Sequence, residues 1–387
     1  MKKKIVIIGG GISGLTAGIF ALRNGYDATI LEKNSSVGGL CTGWNRKGWY
    51  IDGCIHWLTG TKEGYDTYKN WKTLGAFSSK EDLIFLPSWG SFEYKDKVVT
   101  FWCDLSRAEK EWIEISPIDK RHIKWFFKCV RKIASFENPV EAPIPLFRFR
   151  SYFSFVWKMI KTFPHYLMST KMTCEGFASK FHSEAIKNAL INVQPGDGNL
   201  YSMAFSYATV ASGNGGIIKG GSKVMSLRME DRFTSLGGKL KLNSPVKSIE
   251  VENKRVSKVV LESGEEVFGD YFISCCDSDY TCHTLLNGKY INKKLEKRFK
   301  DVEKYPCPSC CLLHFVVKDM PKVDIPFSFN VEPFSVAGRT INNLTIRDFS
   351  YDKDTYVKGN ESILQVLLDQ YSEHYAYWNQ LYKNKEN

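Results

Sequence analysis

The sequence has no run of about 20 apolar residues fit to cross a bilayer as one helix. The nearest approach follows Met1-Lys2-Lys3-Lys4, where Ile5 to Leu22 is uncharged but broken by Gly9, Gly10, Gly11, Gly14 and Gly18. In a continuous helix each of these glycines would cost roughly 1 kcal/mol. A strand, a tight turn and a short helix use them instead, which sets aside a signal peptide or a membrane span. A second ligand pair is also missing. Cys307-Pro308-Ser309-Cys310-Cys311 has metal-ligand spacing, yet no further CxxC or HxxxH completes four ligands, so no metal is expected. The apolar stretch Cys311 to Val317 follows, and these cysteines are expected to open a buried strand. The 11 cysteines are odd in number, which argues for reduced thiols and a cytoplasmic chain. No internal repeat, low-complexity tract or long linker is visible.

The net charge is +11, but the 53 basic residues spread along the whole length without any RNA or DNA signature, so no nucleic-acid partner is expected. Acids are missing altogether from Pro143 to Thr170. That stretch carries Phe147, Phe149, Tyr152, Phe153, Phe155, Trp157, Phe163 and Tyr166 beside Arg148, Arg150, Lys158 and Lys161. It has the composition of a peripheral membrane contact through residues 143–170, and equally of an aromatic cap over an apolar cavity. At 387 residues the chain exceeds one hydrophobic core, so two domains are expected. The 14% of aromatic residues suits either an enclosed flat ligand or an aromatic-rich core.

The strongest signal lies at the start. Ile5 to Ile8 reads as a central parallel strand, and Gly9-x-Gly11-x-x-Gly14 follows at once. In a dinucleotide-binding turn the first glycine allows the tight bend, the second lets a pyrophosphate approach the backbone, and the third lets helix pack on strand. Ser13 to Asn24 then reads as a helix whose N-terminal N–H groups face the phosphates, with Gly25 as its stop. A second strand, Asp27 to Leu31, ends on Glu32, placed to accept ribose hydroxyls and to repel a 2′-phosphate, which disfavours NADP.

Ser35-Ser36-Val37-Gly38-Gly39-Leu40-Cys41-Thr42-Gly43 comes next, followed by Trp49-Tyr50-Ile51-Asp52-Gly53-Cys54-Ile55-His56-Trp57. With the fingerprint, these segments resemble the FAD-dependent amine-oxidase and phytoene-desaturase superfamily, closest in layout to its phytoene desaturase-like and retinol saturase-like branch. The resemblance implies that the Gly38-Gly39 pair lies against the FAD phosphates and ribityl chain. It implies that the Asp52-Gly53 segment, with His56, passes beside the isoalloxazine. A second block, Gly215-Gly216-Ile217-Ile218-Lys219-Gly220-Gly221-Ser222, opens a helix with Met225, Met229, Phe233 and Leu236 on one stripe, read as core packing. Strands are expected at Lys239 to Leu242, Val246 to Val251, Val256 to Glu262 and Tyr271 to Cys275. By the resemblance, the backbone at Val246 holds the adenine and Asp277 sits in the loop after the last strand.

The fold class expected is α/β, with a Rossmann-type FAD-binding domain (1–70 and 215–278) interleaved with an α+β substrate domain (71–214 and 279–387) whose first part is mainly helical. The cofactor-binding set is Gly9, Gly11, Ile12, Ser13, Gly14, Glu32, Lys33, Gly38, Gly39, Leu40, His56 and Val246, with His56 also the candidate to orient substrate. Family members run longer and end in a glycine-bearing segment over the flavin; nothing after Asp277 resembles it, so the chain is expected to be C-terminally truncated. The implied reaction is hydride transfer between flavin N5 and an apolar, polyene- or isoprenoid-type small molecule. No fixed catalytic dyad is needed, because the cofactor carries the chemistry. Amine oxidation and a non-catalytic FAD-binding fragment remain the alternatives.

Overall fold

The computed structural model describes residues 2–136, 149–150, 152–153, 155–157, 172–193, 198–302, 304–305, 309–319, 327–371 and 374–384. The chain divides into two compact units. One comprises Met1–His56, Asn70–Asp82 and Ile218–Cys307; the other comprises Trp57–Lys69, Leu83–Ile217 and Pro308–Asn387.

The first unit is built on a parallel sheet in the order Lys239–Lys241, Asp27–Leu31, Lys4–Ile8, Tyr271–Ser274. The central strand reads KIVII without alternation, and Val6 and Ile7 are fully buried, as a strand covered on both faces demands. The helix Ile12–Arg23 packs against the helix Ser222–Ser235 so closely that a Cβ on Gly18 would lie 2.6 Å from the Phe233 ring. Met225, Met229 and Phe233 of the expected stripe are buried, while Leu236 caps the helix end and is half-buried. An antiparallel sheet of Val246–Glu252, Arg255–Leu261 and Glu266–Phe268 adds a small core of Val246, Val259, Leu261 and Val267 against Val6, Ile8 and Leu31. Its first hairpin turns on Asn253 and Lys254, both at positive φ (49° and 63°), the geometry of a tight two-residue turn. The strand Glu266–Phe268 has no counterpart in the sequence reading, because three residues carry no usable periodicity.

The second unit sets helices against a mixed sheet in the order Ser309–Lys318, Glu361–Gln370, Arg339–Asp348, Phe327–Val336, Ser88–Tyr94, Lys97–Trp102. The segment expected to be mainly helical therefore contributes two strands, Ser88–Tyr94 and Lys97–Trp102, joined by a turn at Lys95 (φ 57°). Ser309–Lys318 corrects another expectation. It is a strand, but among the described residues it pairs with Glu361–Gln370 alone, and Leu313, Phe315 and Val316 are exposed rather than buried. Part of the aromatic surplus packs this unit's core. Trp112 stacks on Phe126 at 5.6 Å and Trp89 on Tyr207 at 5.7 Å, all within one buried cluster. Such pairs contribute about 0.5–1.5 kcal/mol each beyond the area they bury.

A buried carboxylate, Asp119, joins two loops of this unit. It accepts hydrogen bonds from Ser116 Oγ (2.7 Å) and from the N–H groups of His182 and Ser183 (2.9 and 3.0 Å), and it meets His182 Nδ1 at 2.9 Å. Burial pushes the carboxyl pKa up, but the bonds from Ser116, His182 and Ser183 outweigh it and hold it down from 3.8 to about 2. A depressed carboxylate stabilises the fold above the unfolded value and loses that contribution as pH falls through the folded one. The difference is about 2 kcal/mol, lost between roughly pH 5 and pH 2. Urea titrations across that window should show wild type weakening by this amount beyond Asp119→Asn, which starts weaker at pH 7; parallel pH profiles would remove the assignment.

Candidate functional site

The glycine turn joins the first strand to the first helix, and two of its three fingerprint glycines, Gly9 and Gly14, are required by the fold itself. Gly9 N–H continues the strand pairing onto Leu31 O (2.8 Å) before the chain turns at φ +101°. A Cβ on Gly14 would fall 1.9 Å from Gly9 O, so helix and turn touch backbone to backbone. Gly11 differs. Its φ is an ordinary −70°, and a Cβ there would meet nothing nearer than Gly39 Cα at 3.9 Å. No internal contact requires a glycine at position 11.

Gly11 forms a bridge with Gly38, and Gly38 N–H donates to Gly10 O at 3.0 Å, so the Gly-Gly pair lies directly over the first turn. Gly38 sits at φ +115°, where a Cβ would strike Cys41 O at 2.4 Å and Ser226 Oγ at 2.7 Å. Gly39, at φ +59°, faces Gly11, and Leu40 beside it is exposed. No side chain caps the helix Ile12–Arg23 and no acid lies in its first turn. The N–H groups around Ile12 and Ser13 therefore leave a positive dipole end beside the side-chain-free backbone of Gly11, a cradle that suits a pyrophosphate.

Glu32 ends the second strand almost wholly buried. Its Oε2 accepts from Gly10 N–H (2.6 Å), and its Oε1 accepts from Asn34 N–H (2.8 Å) and Asn34 Nδ2 (2.9 Å). A carboxylate has about four acceptor sites, so one stays available to a ribose hydroxyl while the other three fix the side chain to the glycine turn. Lys33 next to it is exposed. Ser244 N–H bonds Glu32 O at 2.8 Å, which brings the start of the strand carrying Val246 to the same corner.

A second centre lies at Asp52, the last residue of the hairpin Gly43–Arg46/Trp49–Asp52. Gly220 and Gly221, both at positive φ (83° and 84°), turn the chain so that the helix Ser222–Ser235 starts against this carboxylate. Asp52 Oδ2 accepts Ser222 N–H at 2.7 Å, while Oδ1 accepts Ser222 Oγ at 2.8 Å and Cys54 N–H at 3.1 Å. Ser222 Oγ in turn accepts Ile55 N–H at 3.2 Å. Asp52 thus caps a helix 170 residues away in sequence, with the sign its dipole favours. Burial first, then the Asp52 charge, pushes the nearby Tyr50 hydroxyl up to about 12, so it stays protonated. His56 follows this segment, half-buried.

The structure brings together Gly9, Gly11, Ile12, Ser13, Gly14, Glu32, Gly38, Gly39 and Leu40 around one turn, with Lys33 and the start of the Val246 strand at the Glu32 corner and His56 on the Asp52 segment. Sequence reasoning gave no site role to Gly10, whose N–H fixes Glu32, to Asp52 and Ser222 as a pair, or to Ser226, whose Oγ donates to Cys41 O at 3.3 Å. The available signal was a lone acid closing an apolar strand and a serine after two glycines. Among the described residues no group of three or more His, Cys, Asp or Glu is arranged to hold a metal ion, and no helix is long and apolar enough to cross a membrane. Cys307, and most of 143–170, lie outside the described residues.

Residues 12–321 match the family described as flavin containing amine oxidoreductase. The chain is 23% identical over 340 residues to 4,4′-diaponeurosporene oxygenase of Staphylococcus haemolyticus, covering 82% of this chain and 62% of that protein. It is 23% identical over 398 residues to a 4,4′-diapophytoene desaturase of a Methylomonas species, covering 95% and 73%. The chain therefore spans about three-fifths of the staphylococcal protein's length. Among solved structures, an oxidoreductase from Methanosarcina mazei shares the fold at a TM-score of 0.61 and 13% identity, over 98% of this chain and 82% of that one. Turn, cradle and family match agree: the chain belongs to the flavin-containing amine oxidoreductase family, and its cofactor is FAD.

Proposed function

We propose that the chain is an FAD-dependent oxidoreductase acting on an apolar small molecule of the polyene or isoprenoid kind. The observation that carries this is the helix start at Gly11 and Ile12, uncapped by any described side chain, where no described contact demands a glycine and a Cβ would make only ordinary contact with Gly39 Cα. In this reading the unit of Met1–His56, Asn70–Asp82 and Ile218–Cys307 holds the cofactor. The N–H groups at Gly11, Ile12 and Ser13 bind phosphate, Gly9 and Gly14 shape the turn, and Gly38, Gly39 and Leu40 cover it. Glu32 takes a ribose hydroxyl with Lys33 beside it, the backbone at Val246 receives the adenine, and His56 borders the ring. FAD when bound supplies the two-electron hydride chemistry; the chain's own task is to orient the substrate carbon and exclude water. Supporting an apolar substrate are the carotenoid names of both relatives. The exposed Phe149, Tyr152, Phe153 and Trp157 in the acid-free stretch support delivery from a membrane surface.

The test is anaerobic. Protein reconstituted with FAD and passed through gel filtration is mixed with liposomes of anionic lipid carrying a C30 or C40 polyene. Bleaching of the flavin band near roughly 450 nm, with the protein floating alongside the liposomes, is the expected result. Retained flavin that no polyene alters would remove the substrate class, and protein that stays at the bottom of the gradient would remove the membrane contact.

A further inference from the structure

Two thiols next to the cradle have no part in the reading above. The antiparallel register of the hairpin pairs Gly43 with Asp52, and Gly53 N–H bonds Thr42 O at 3.4 Å just beyond it. Carrying that register outward sets Cys41 directly opposite Cys54. Their sulfurs lie 3.6 Å apart, in hydrogen-bond contact, and both residues are half-buried. Opposed residues of an antiparallel pair have Cα atoms about 4.5–5.5 Å apart, inside the roughly 4.4–6.8 Å window that a disulfide spans. Each cysteine is also held by its backbone. Cys41 N–H bonds Gly38 O at 3.0 Å, and Cys54 N–H bonds Asp52 Oδ1 at 3.1 Å.

We propose that Cys41 and Cys54 are a redox-modification site, a dithiol that low-molecular-weight disulfides convert to an intrachain disulfide across the base of the hairpin. The bond would tie the Gly38–Cys41 turn to the Asp52–Cys54 turn. The reaction starts at Cys54. The hydrogen bond shared by the two thiols draws Cys54 below the ordinary thiol value, whereas the same contact, with burial, raises Cys41. The Cys54 thiolate attacks one sulfur of the disulfide RSSR, breaking its S–S bond and releasing RS⁻, which takes up a proton as RSH. Cys41 then loses its proton and attacks Cys54 Sγ, displacing the second RS⁻, which leaves as RSH. The sum is two protein thiols plus RSSR giving one protein disulfide plus two RSH. Elsewhere burial pushes Cys103 and Cys174 up to about 11 and Cys129 to about 12, which keeps those thiols unreactive near neutral pH.

The inference asks nothing of the cofactor, so its test is independent of flavin binding. The full-length chain is incubated with oxidised glutathione at pH 8, quenched by alkylation, digested without reduction and read by mass spectrometry. The expected product is one peptide pair joining residues 41 and 54, lighter by two hydrogens and reversed by dithiothreitol. Closing the hairpin should also raise the thermal midpoint by several degrees relative to the reduced protein. In Cys41→Ser, whose native fold is checked by circular dichroism, the reaction should stop with one glutathione on Cys54; in Cys54→Ser, Cys41 should stay unmodified. A folded wild-type protein that accumulates glutathione on Cys54 without the cross-link, or that leaves both thiols open to alkylation, overturns the proposal.

Discussion

Gly11→Ala is expected to abolish retention of FAD through gel filtration while leaving the fold as stable as wild type. The two halves of that expectation come from one measurement, the space around a Cβ at position 11, where the nearest atom is Gly39 Cα at 3.9 Å. The backbone there, at φ −70° and ψ −179°, is open to any residue, so alanine introduces no strain. Loss of conformational freedom in the unfolded chain should even stabilise the variant by roughly 0.4–1 kcal/mol. The methyl group instead occupies the cradle. Forcing it against a rigidly held pyrophosphate costs about 2–3 kcal/mol, or roughly 30- to 150-fold in affinity. Gly14→Ala is the internal contrast. Its Cβ would lie 1.9 Å from Gly9 O, and the helix must lift off the turn, so stability and cofactor fall together. Calorimetric unfolding of both apoproteins, with FAD titrated by fluorescence quenching, separates the cases. An FAD affinity unchanged in Gly11→Ala would move the phosphate site away from this turn.

The contrast also shows what the amino-acid sequence can carry. Strand, glycine turn, helix, stop glycine and second strand were legible because each is a local pattern: KIVII, the spacing of Gly9, Gly11 and Gly14, and Gly25 at φ +85°. The helix from Ser222 and the strands Lys239–Lys241, Val246–Glu252, Arg255–Leu261 and Tyr271–Ser274 were readable for the same reason. The motif's spacing also gave Gly9 and Gly14 to the fold and Gly11 to a ligand, and the positive φ of Gly9 and the backbone contact of Gly14 agree with the first two. The edge position of Ser309–Lys318 was hidden. Its composition is that of a buried strand, yet Leu313, Phe315 and Val316 are exposed, and neither sheet order nor what covers a face can be read from local composition. Asp52 and Ser222 lie 170 residues apart, and nothing local to either marks the other.

That pair sets the largest stability effect expected in the first unit. Asp52→Ala removes the acceptor for three donors at once: Ser222 N–H, Ser222 Oγ–H and Cys54 N–H. Ser222 is fully buried and Asp52 nearly so, hence water does not readily replace the lost partner. An unsatisfied buried donor costs about 1–3 kcal/mol, and the helix Ser222–Ser235 also loses the negative charge at its N-terminus, worth about 0.3–1 kcal/mol. Allowing the Ser222 hydroxyl to turn elsewhere, the sum is about 3–5 kcal/mol, a fall of roughly 10 °C in the unfolding midpoint. Asp52→Asn should lose less, about 1–2 kcal/mol, since its one carbonyl oxygen can still accept while its amide nitrogen faces another donor. The discriminating measurement is the double-mutant cycle with Ser222→Ala. If Asp52 acts through Ser222, removing both side chains should cost about 1–3 kcal/mol less than the two single losses added. Additive losses would mean that the carboxylate serves the hairpin alone, and that the start of this helix is fixed by Gly220 and Gly221 instead.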